Sequence, residues 1–162
     1  MAKNEDAAYK LMCLDQVYLL TTKCEDGKKT HVIPQLWAMP VSFKPQRIAV
    51  AVAKDRFTNQ LLEKTGEFVL NIPSQEMAAQ VWSCAPPCQG GDKLSRAKLT
   101  PMKASKVKPP LIKECLGALE CRVANKIDAG DHTIFVADVL ATHKLKSGKV
   151  MVNAASSHEF EI

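Results

Sequence analysis

Arg56, Thr58 and Asn59 follow a short apolar run and open a segment of helical character. Backbone amides at a helix start, joined by a guanidinium and a hydroxyl, form a cradle for a phosphate. A capped surface helix uses the same residue types, so both readings stand at this point. Upstream, Trp37 and Met39 lie between Pro34, Pro40 and Pro45. Each proline removes a backbone donor, which leaves amides and carbonyls free beside two large apolar side chains. A site for a flat heteroaromatic ring uses such groups. Cys84-Ala-Pro-Pro-Cys88 is the closest pair among six cysteines. It is one residue too long for a CxxC motif, and no second pair or nearby His completes a zinc site. Buried or loop thiols are the expectation there, with a thiol-redox role as the lesser alternative. Ser42, Ser74 and Ser95 have no matched His and acid, so nothing supports a hydrolase.

These residues are positioned by Thr30–Ala53, which reads as two β-strands joined by a proline-punctuated connection. In Ile48–Ala53 the large residues Ile48, Val50 and Val52 alternate with Ala49, Ala51 and Ala53. Side chains alternate faces along a strand, so one face is bulky and the other nearly flat. The flat face admits either a planar ligand or another packed element. Val17–Cys24 and Thr30 onward form a hairpin with its tip at Asp26-Gly27. Thr58 is the expected N-cap and Gly66 the stop of a two-turn helix. Glu67–Ile72 alternates as a strand, and Ser74–Ser83 reads as a helix with Met77, Val81 and Trp82 inward. Ala85–Pro110 is loop-rich, which in a compact domain points to a functional or mobile segment. Leu116–Ile127 and His132–Lys144 are paired strands about the turn Ala129-Gly-Asp131. Leu119, Cys121 and Val123 share one face, and Glu120, Arg122 and Lys126 the other. A short helix at Ala7–Leu14 and a short strand at Lys149–Val152 complete the reading. The pattern is mainly β, an antiparallel barrel with short helices at its ends.

At 162 residues the chain is expected to be one domain, 1–162, with its core at about 15–145. Apolar content of 46% and charged content of 24% are those of a globular protein. No run reaches membrane-spanning length and MAKNEDAAYK lacks a signal-peptide core, so the expectation is a cytoplasmic protein without membrane contact. The net charge of +5 is concentrated in Lys93–Lys113, with seven basic residues and no acid. That stretch has no aromatic residue, which argues against nucleic acid and leaves a solvated loop or a surface for phosphates or an acidic protein.

Several segments together are similar to a known family. Pro34-Gln-Leu-Trp-Ala-Met-Pro-Val-Ser-Phe-Lys-Pro45, Arg56-Phe-Thr58, Thr65–Pro73, Gly91-Asp-Lys93, Leu119–Val123 and Gly130-Asp-His-Thr-Ile-Phe-Val136 occur in order at compatible spacings. The set resembles the flavin reductase-like family of FMN-binding split barrels, which includes flavoredoxins. The resemblance implies a homodimer with tightly bound FMN near the subunit interface. It places Trp37, Ala38, Met39, Pro40, Val41 and Ser42 along the isoalloxazine and Arg56, Thr58 and Asn59 at the phosphate. It makes Lys93 a cofactor contact and His132 the candidate catalytic residue facing flavin or nicotinamide. His31 and Leu36 depart from the family pattern of Asn and Ser, and Asn153–Ile162 lacks the aromatic segment that many relatives carry.

The function implied is an oxidoreductase passing electrons from NAD(P)H or a redox-protein donor to flavin, ferric iron or a protein acceptor. The protein's part is to position the flavin and tune its potential. The alternative is a non-catalytic FMN carrier or storage protein with the same site residues. The basic Lys93–Lys113 stretch marks the place for an acidic redox partner.

Overall fold

Proline decides where this sheet stops. Pro34 and Pro40 cannot donate to a ladder, so the strands that hold them belong at edges. The computed structural model describes residues 16–87 and 92–153. Its strands are β1 (Tyr18–Lys23), β2 (Thr30–Gln35), β3 (Ala38–Phe43), β4 (Gln46–Ala53), β5 (Glu67–Ile72), β6 (Pro101–Met102), β7 (Leu111–Ile112), β8 (Gly117–Ala129) and β9 (His132–Lys144). Its helices are α1 (Phe57–Thr65), α2 (Ala78–Ser83), which follows a 3-10 turn at Gln75–Met77, and α3 (Lys93–Arg96).

Seven strands form one antiparallel sheet in the order β2-β1-β5-β8-β9-β4-β3, with the two proline strands at its ends. Those ends are joined by Leu36 and Trp37 alone. Across the corner, Ala51 N donates to Trp37 O at 2.9 Å and Gln35 Nε2 donates to Ala51 O at 2.9 Å. The sheet therefore curls into a barrel split between β2 and β3. The sequence placed two strands in Thr30–Ala53; there are three, because the connection itself pairs with β4 as an edge strand. Its ladder is interrupted between Pro40 and Ser42, where the register shifts.

The barrel interior holds Leu20, Val50, Val52, Phe68, Leu70, Cys121, Phe135 and Ala137, all buried. A second cluster lies outside the sheet, where Leu19 and Val32 meet Met77, Val81, Leu94, Leu99 and Ile112. β1 is thus buried on both faces. Each such large side chain contributes about 1.5–3 kcal/mol through the water-accessible area it removes.

Three other expectations change. Ser74–Ser83 is a 3-10 turn followed by α2, and Trp82 is half exposed rather than inward. Lys149–Val152 makes two isolated bridges, Ser74 with Val150 and Gln16 with Val152, rather than a strand. The loop-rich Ala85–Pro110 contains α3 and β6, and β6 pairs with β7. On the face of β8 opposite Leu119, Cys121 and Val123, Arg122 is exposed while Glu120 is buried, because residues 103–110 fold over it. The helix proposed for Ala7–Leu14 lies outside the described residues.

Glu120 explains the shape of that loop. Its carboxylate accepts from Ser105 N at 2.9 Å, Lys106 N at 2.5 Å, Val107 N at 3.1 Å and Ser105 Oγ at 2.8 Å. His143 Nε2 lies 2.7 Å away. Two further carboxylates hold the loop flanks, Glu114 on Thr100 N and Glu67 on Lys108 N. The backbone is drawn inward, and Lys98, Lys103, Lys106, Lys108 and Lys113 are left exposed.

Candidate functional site

The flat alanine face of β4 lies where the sequence pattern put it. Ile48, Val50 and Val52 fill the barrel, while Ala51 and Ala53, with Val52 between them, line the floor of a cleft of about 310 Å³. Ile33, Pro34, Gln35, Leu36 and Trp37 supply one wall from the β2–β3 corner. Trp82 and Ala85 face them from the end of α2, and Arg56 and His132 close the remaining sides. A floor of methyl groups between two tryptophans admits a planar ring at van der Waals distance.

Trp37 and His132 stack with ring centroids 4.7 Å apart and planes tilted by 34°. His132 starts β9 directly after the turn at Gly130, whose φ of 80° suits glycine. Its Nδ1 lies 2.7 Å from Asp131 Oδ1, and this contact, first among several, holds the Asp131 carboxyl below its ordinary range. Lys54 N donates to Asp131 O at 2.9 Å and ties the turn to the end of β4.

Arg56, not Thr58, is the N-cap of α1. It has extended backbone (φ −79°, ψ 136°) and no side-chain cap bond. Thr58 is the second residue of the helix, past the cap position, and its Oγ1 lies 2.9 Å from His31 Nε2. Asn59 is likewise committed, donating through Nδ2 to Val52 O at 3.0 Å. The helix thus opens at the cleft with its amide end uncapped by a side chain and the Arg56 guanidinium beside it, an arrangement that suits a phosphate. Gly66 ends the helix at φ 64°, as the sequence predicted.

Trp37, Arg56 and His132 are therefore brought together. Thr58 and Asn59 lie buried beneath the helix start. Lys93 is also buried, 2% exposed, with Nζ donating 2.9 Å to Cys84 O. Ala38, Met39, Pro40, Val41 and Ser42 run along β3 and do not line the cleft. Sequence reasoning missed Gln35 and Trp82, which line it. Trp82 was assigned inward with Val81; Val81 is buried, and Trp82, the next residue around the helix, lines the cleft.

His31 sits behind this site, buried with its ring edge-on to Phe57. Burial, and after it the charge of Lys93, push its pKa down to about 4. The unfolded chain binds this proton near pH 6.5 and the folded chain only near 4. Its contribution to stability is complete above pH 6.5 and is lost as pH falls through 4. His31→Asn should flatten the stability curve between pH 6.5 and 4, measured by urea unfolding at each pH.

Burial raises the thiol pKa of each described cysteine. Cys115 and Cys121 are pushed up to about 12, first by burial and then by the neighbouring Glu114 and Glu120 carboxylates. Burial also raises Cys84. Cys88 lies outside the described residues, and no cluster of three metal-binding side chains occurs among those described.

The fold is an antiparallel split barrel with a flat-floored cleft at its seam, walled by aromatic rings and opened by a helix start. The family model for the flavin reductase like domain matches residues 13–157, and the chain belongs to the flavin reductase-like family of flavoprotein oxidoreductases. An uncharacterized protein of Archaeoglobus fulgidus is 38% identical over 143 residues, covering 85% of this chain and 78% of its own length. Among solved structures, the flavoredoxin of Desulfovibrio vulgaris (Miyazaki F) superposes with a TM-score of 0.72 at 22% identity, over 87% of this chain and 71% of that one. The NADH:FAD oxidoreductase of Streptomyces globisporus C-1027 gives a TM-score of 0.85 at 18% identity, over 100% and 98%. A flavin is the cofactor class of this family.

Proposed function

We propose that the chain is an FMN-binding oxidoreductase that takes electrons from NAD(P)H or a redox-protein donor and passes them to flavin, ferric iron or a protein acceptor. The observation that carries this reading is the alanine-floored cleft with Arg56 and an uncapped helix start at one end. Bound there, FMN supplies the hydride- and electron-accepting ring. Trp37 and Trp82 flank the ring and exclude water, and Ala51 and Ala53 allow it to lie flat against the strand. Arg56 and the first amides of α1 hold the phosphate. His132 presents an imidazole at the cleft wall, oriented by Asp131 and by stacking on Trp37, where it contacts flavin or nicotinamide.

A homodimer fits the surface of β3. Met39 is 61% and Phe43 92% exposed, and Val41 lies exposed between them on an unpaired sheet edge. Apolar side chains in such a row call for a covering chain. Ala38–Ser42 then meets the cofactor from the interface side, as the family resemblance implies. The exposed lysines of residues 98–113 are the docking face for an acidic redox partner. The free Cys24, Cys84, Cys115 and Cys121 thiols suit the reducing cytoplasm.

The purified protein should show a bound-flavin absorbance that bleaches anaerobically with NADH or NADPH, and it should sediment as a dimer. A flavin spectrum that persists with both nucleotides assigns the protein to a protein-fed carrier. Absence of flavin binding after adding FMN would overturn the reading.

A further inference from the structure

Gln35 holds its side-chain amide in a single orientation. Nε2 donates both protons to carbonyls, to Trp37 O at 3.0 Å and to Ala51 O at 2.9 Å. Turning the amide over would set oxygen against two carbonyl oxygens, so Oε1 is fixed on the other side. Gln35 is only 5% exposed and lines the cleft, and its amide lies between two other lining residues. Oε1 has no hydrogen-bond partner among the described residues. The neighbouring carbonyls are engaged: Leu36 O accepts from Ala38 N, and Trp37 O accepts from Ala51 N as well as from Gln35. A buried acceptor without a donor costs about 1–3 kcal/mol, so an acceptor held this firmly calls for a donor from beyond the described residues, and the cleft it lines is where a ligand would bring one.

We infer that Gln35 Oε1 accepts a hydrogen bond from the imide N–H of the flavin ring. This rests on the reading of the cleft as a flavin site and goes beyond it by naming a recognition residue. The match is chemical. A ring lying on the Ala51–Ala53 floor presents only its edges to the β2–β3 corner, and the imide edge carries the ring's own N–H donor. Gln35 thereby does two jobs at once. Its N–H groups close the split between the sheet ends, and its oxygen reads the group that seats against that closure. Leu36, the next residue, offers no polar atom from its side chain, so recognition at this corner falls to Gln35.

The test compares FMN with 3-methyl-FMN, which lacks that N–H, in the full-length protein and in Gln35→Met, by fluorescence titration. Wild type should bind FMN roughly tenfold more tightly than 3-methyl-FMN, the worth of one hydrogen bond. The preference should shrink to within about twofold in Gln35→Met, where no acceptor remains to discriminate. An equal preference in both proteins overturns the inference, since the methyl group then meets some other obstacle. Should Gln35→Met fail to fold, wild type bound to 15N-labelled FMN decides alone. A downfield, exchange-protected imide N–H resonance supports the bond, and a rapidly exchanging one refutes it. Failure of wild type to bind FMN at all removes the flavin reading together with this one. Binding of both flavins with equal affinity removes only the role of Gln35.

Discussion

Glu120→Ala is expected to lower stability by about 3–5 kcal/mol, read from urea unfolding at neutral pH. The side chain is fully buried and accepts from three consecutive backbone amides, the Ser105 hydroxyl and His143. Truncation leaves those donors without an acceptor beneath a loop that cannot easily re-form around water. Glu120→Gln keeps the volume but swaps one acceptor for a donor that faces other donors, so it should recover little. Burial alone would raise the carboxyl, but the Ser105 and Lys106 amides, the Ser105 hydroxyl and His143 together bring it down to about 2. Its contribution is therefore complete above about pH 4.5 and is lost as pH falls toward 2. A Glu120→Ala protein that unfolds at the wild-type urea midpoint would show that the loop does not depend on this carboxylate. The exposed lysines of the loop should lose their fixed arrangement in the same variant, since their backbone is what Glu120 holds.

Arg56→Ala is expected to weaken FMN binding by roughly 10- to 100-fold while leaving the unfolding midpoint nearly unchanged. Arg56 is exposed, and among the described residues its only ion pair is a long 3.9 Å contact with Asp55, so the described fold draws little from it. What it offers is charge at the open end of α1, within the cleft. A charge-assisted bond to phosphate contributes about 1.5–3 kcal/mol, which sets the expected range. Riboflavin, which has no phosphate, is the control and should bind both proteins alike. Equal FMN affinity in wild type and Arg56→Ala would move the phosphate away from the helix start. Thr58 is a poorer probe of the cradle. Its hydroxyl is held by His31, so a Thr58 variant mixes packing loss with ligand loss.

Local patterns in the chain carried most of the architecture. The alternation of Ile48, Val50 and Val52 with alanines sets a bulky and a flat face in any strand, because side chains alternate regardless of context. Gly66 stops a helix and Gly130 turns a hairpin through their own conformational freedom, and both did so. The ordered set of segments from Pro34 to Val136 led to the family, and the match over residues 13–157 agrees with it. These features depend on neighbours in sequence, so they are legible there.

What the tertiary structure decided depends on partners far along the chain. Arg56, not Thr58, is the cap, and the Thr58 hydroxyl instead meets His31, 27 residues earlier in the chain. Glu120 alternates like a surface residue and is buried only because the loop before it folds across the strand and offers three amides. The prolines of Thr30–Ala53 did interrupt pairing, but on one side only, so the connection became the edge strand β3. Gln35 has no local signal at all. Its role appears only when the curled sheet brings Ala51 to Trp37 and leaves a single amide between them with one atom unpaired among the described residues. Sequence periodicity reports which way a side chain points from its own strand, and only closure of the barrel determines what it meets there.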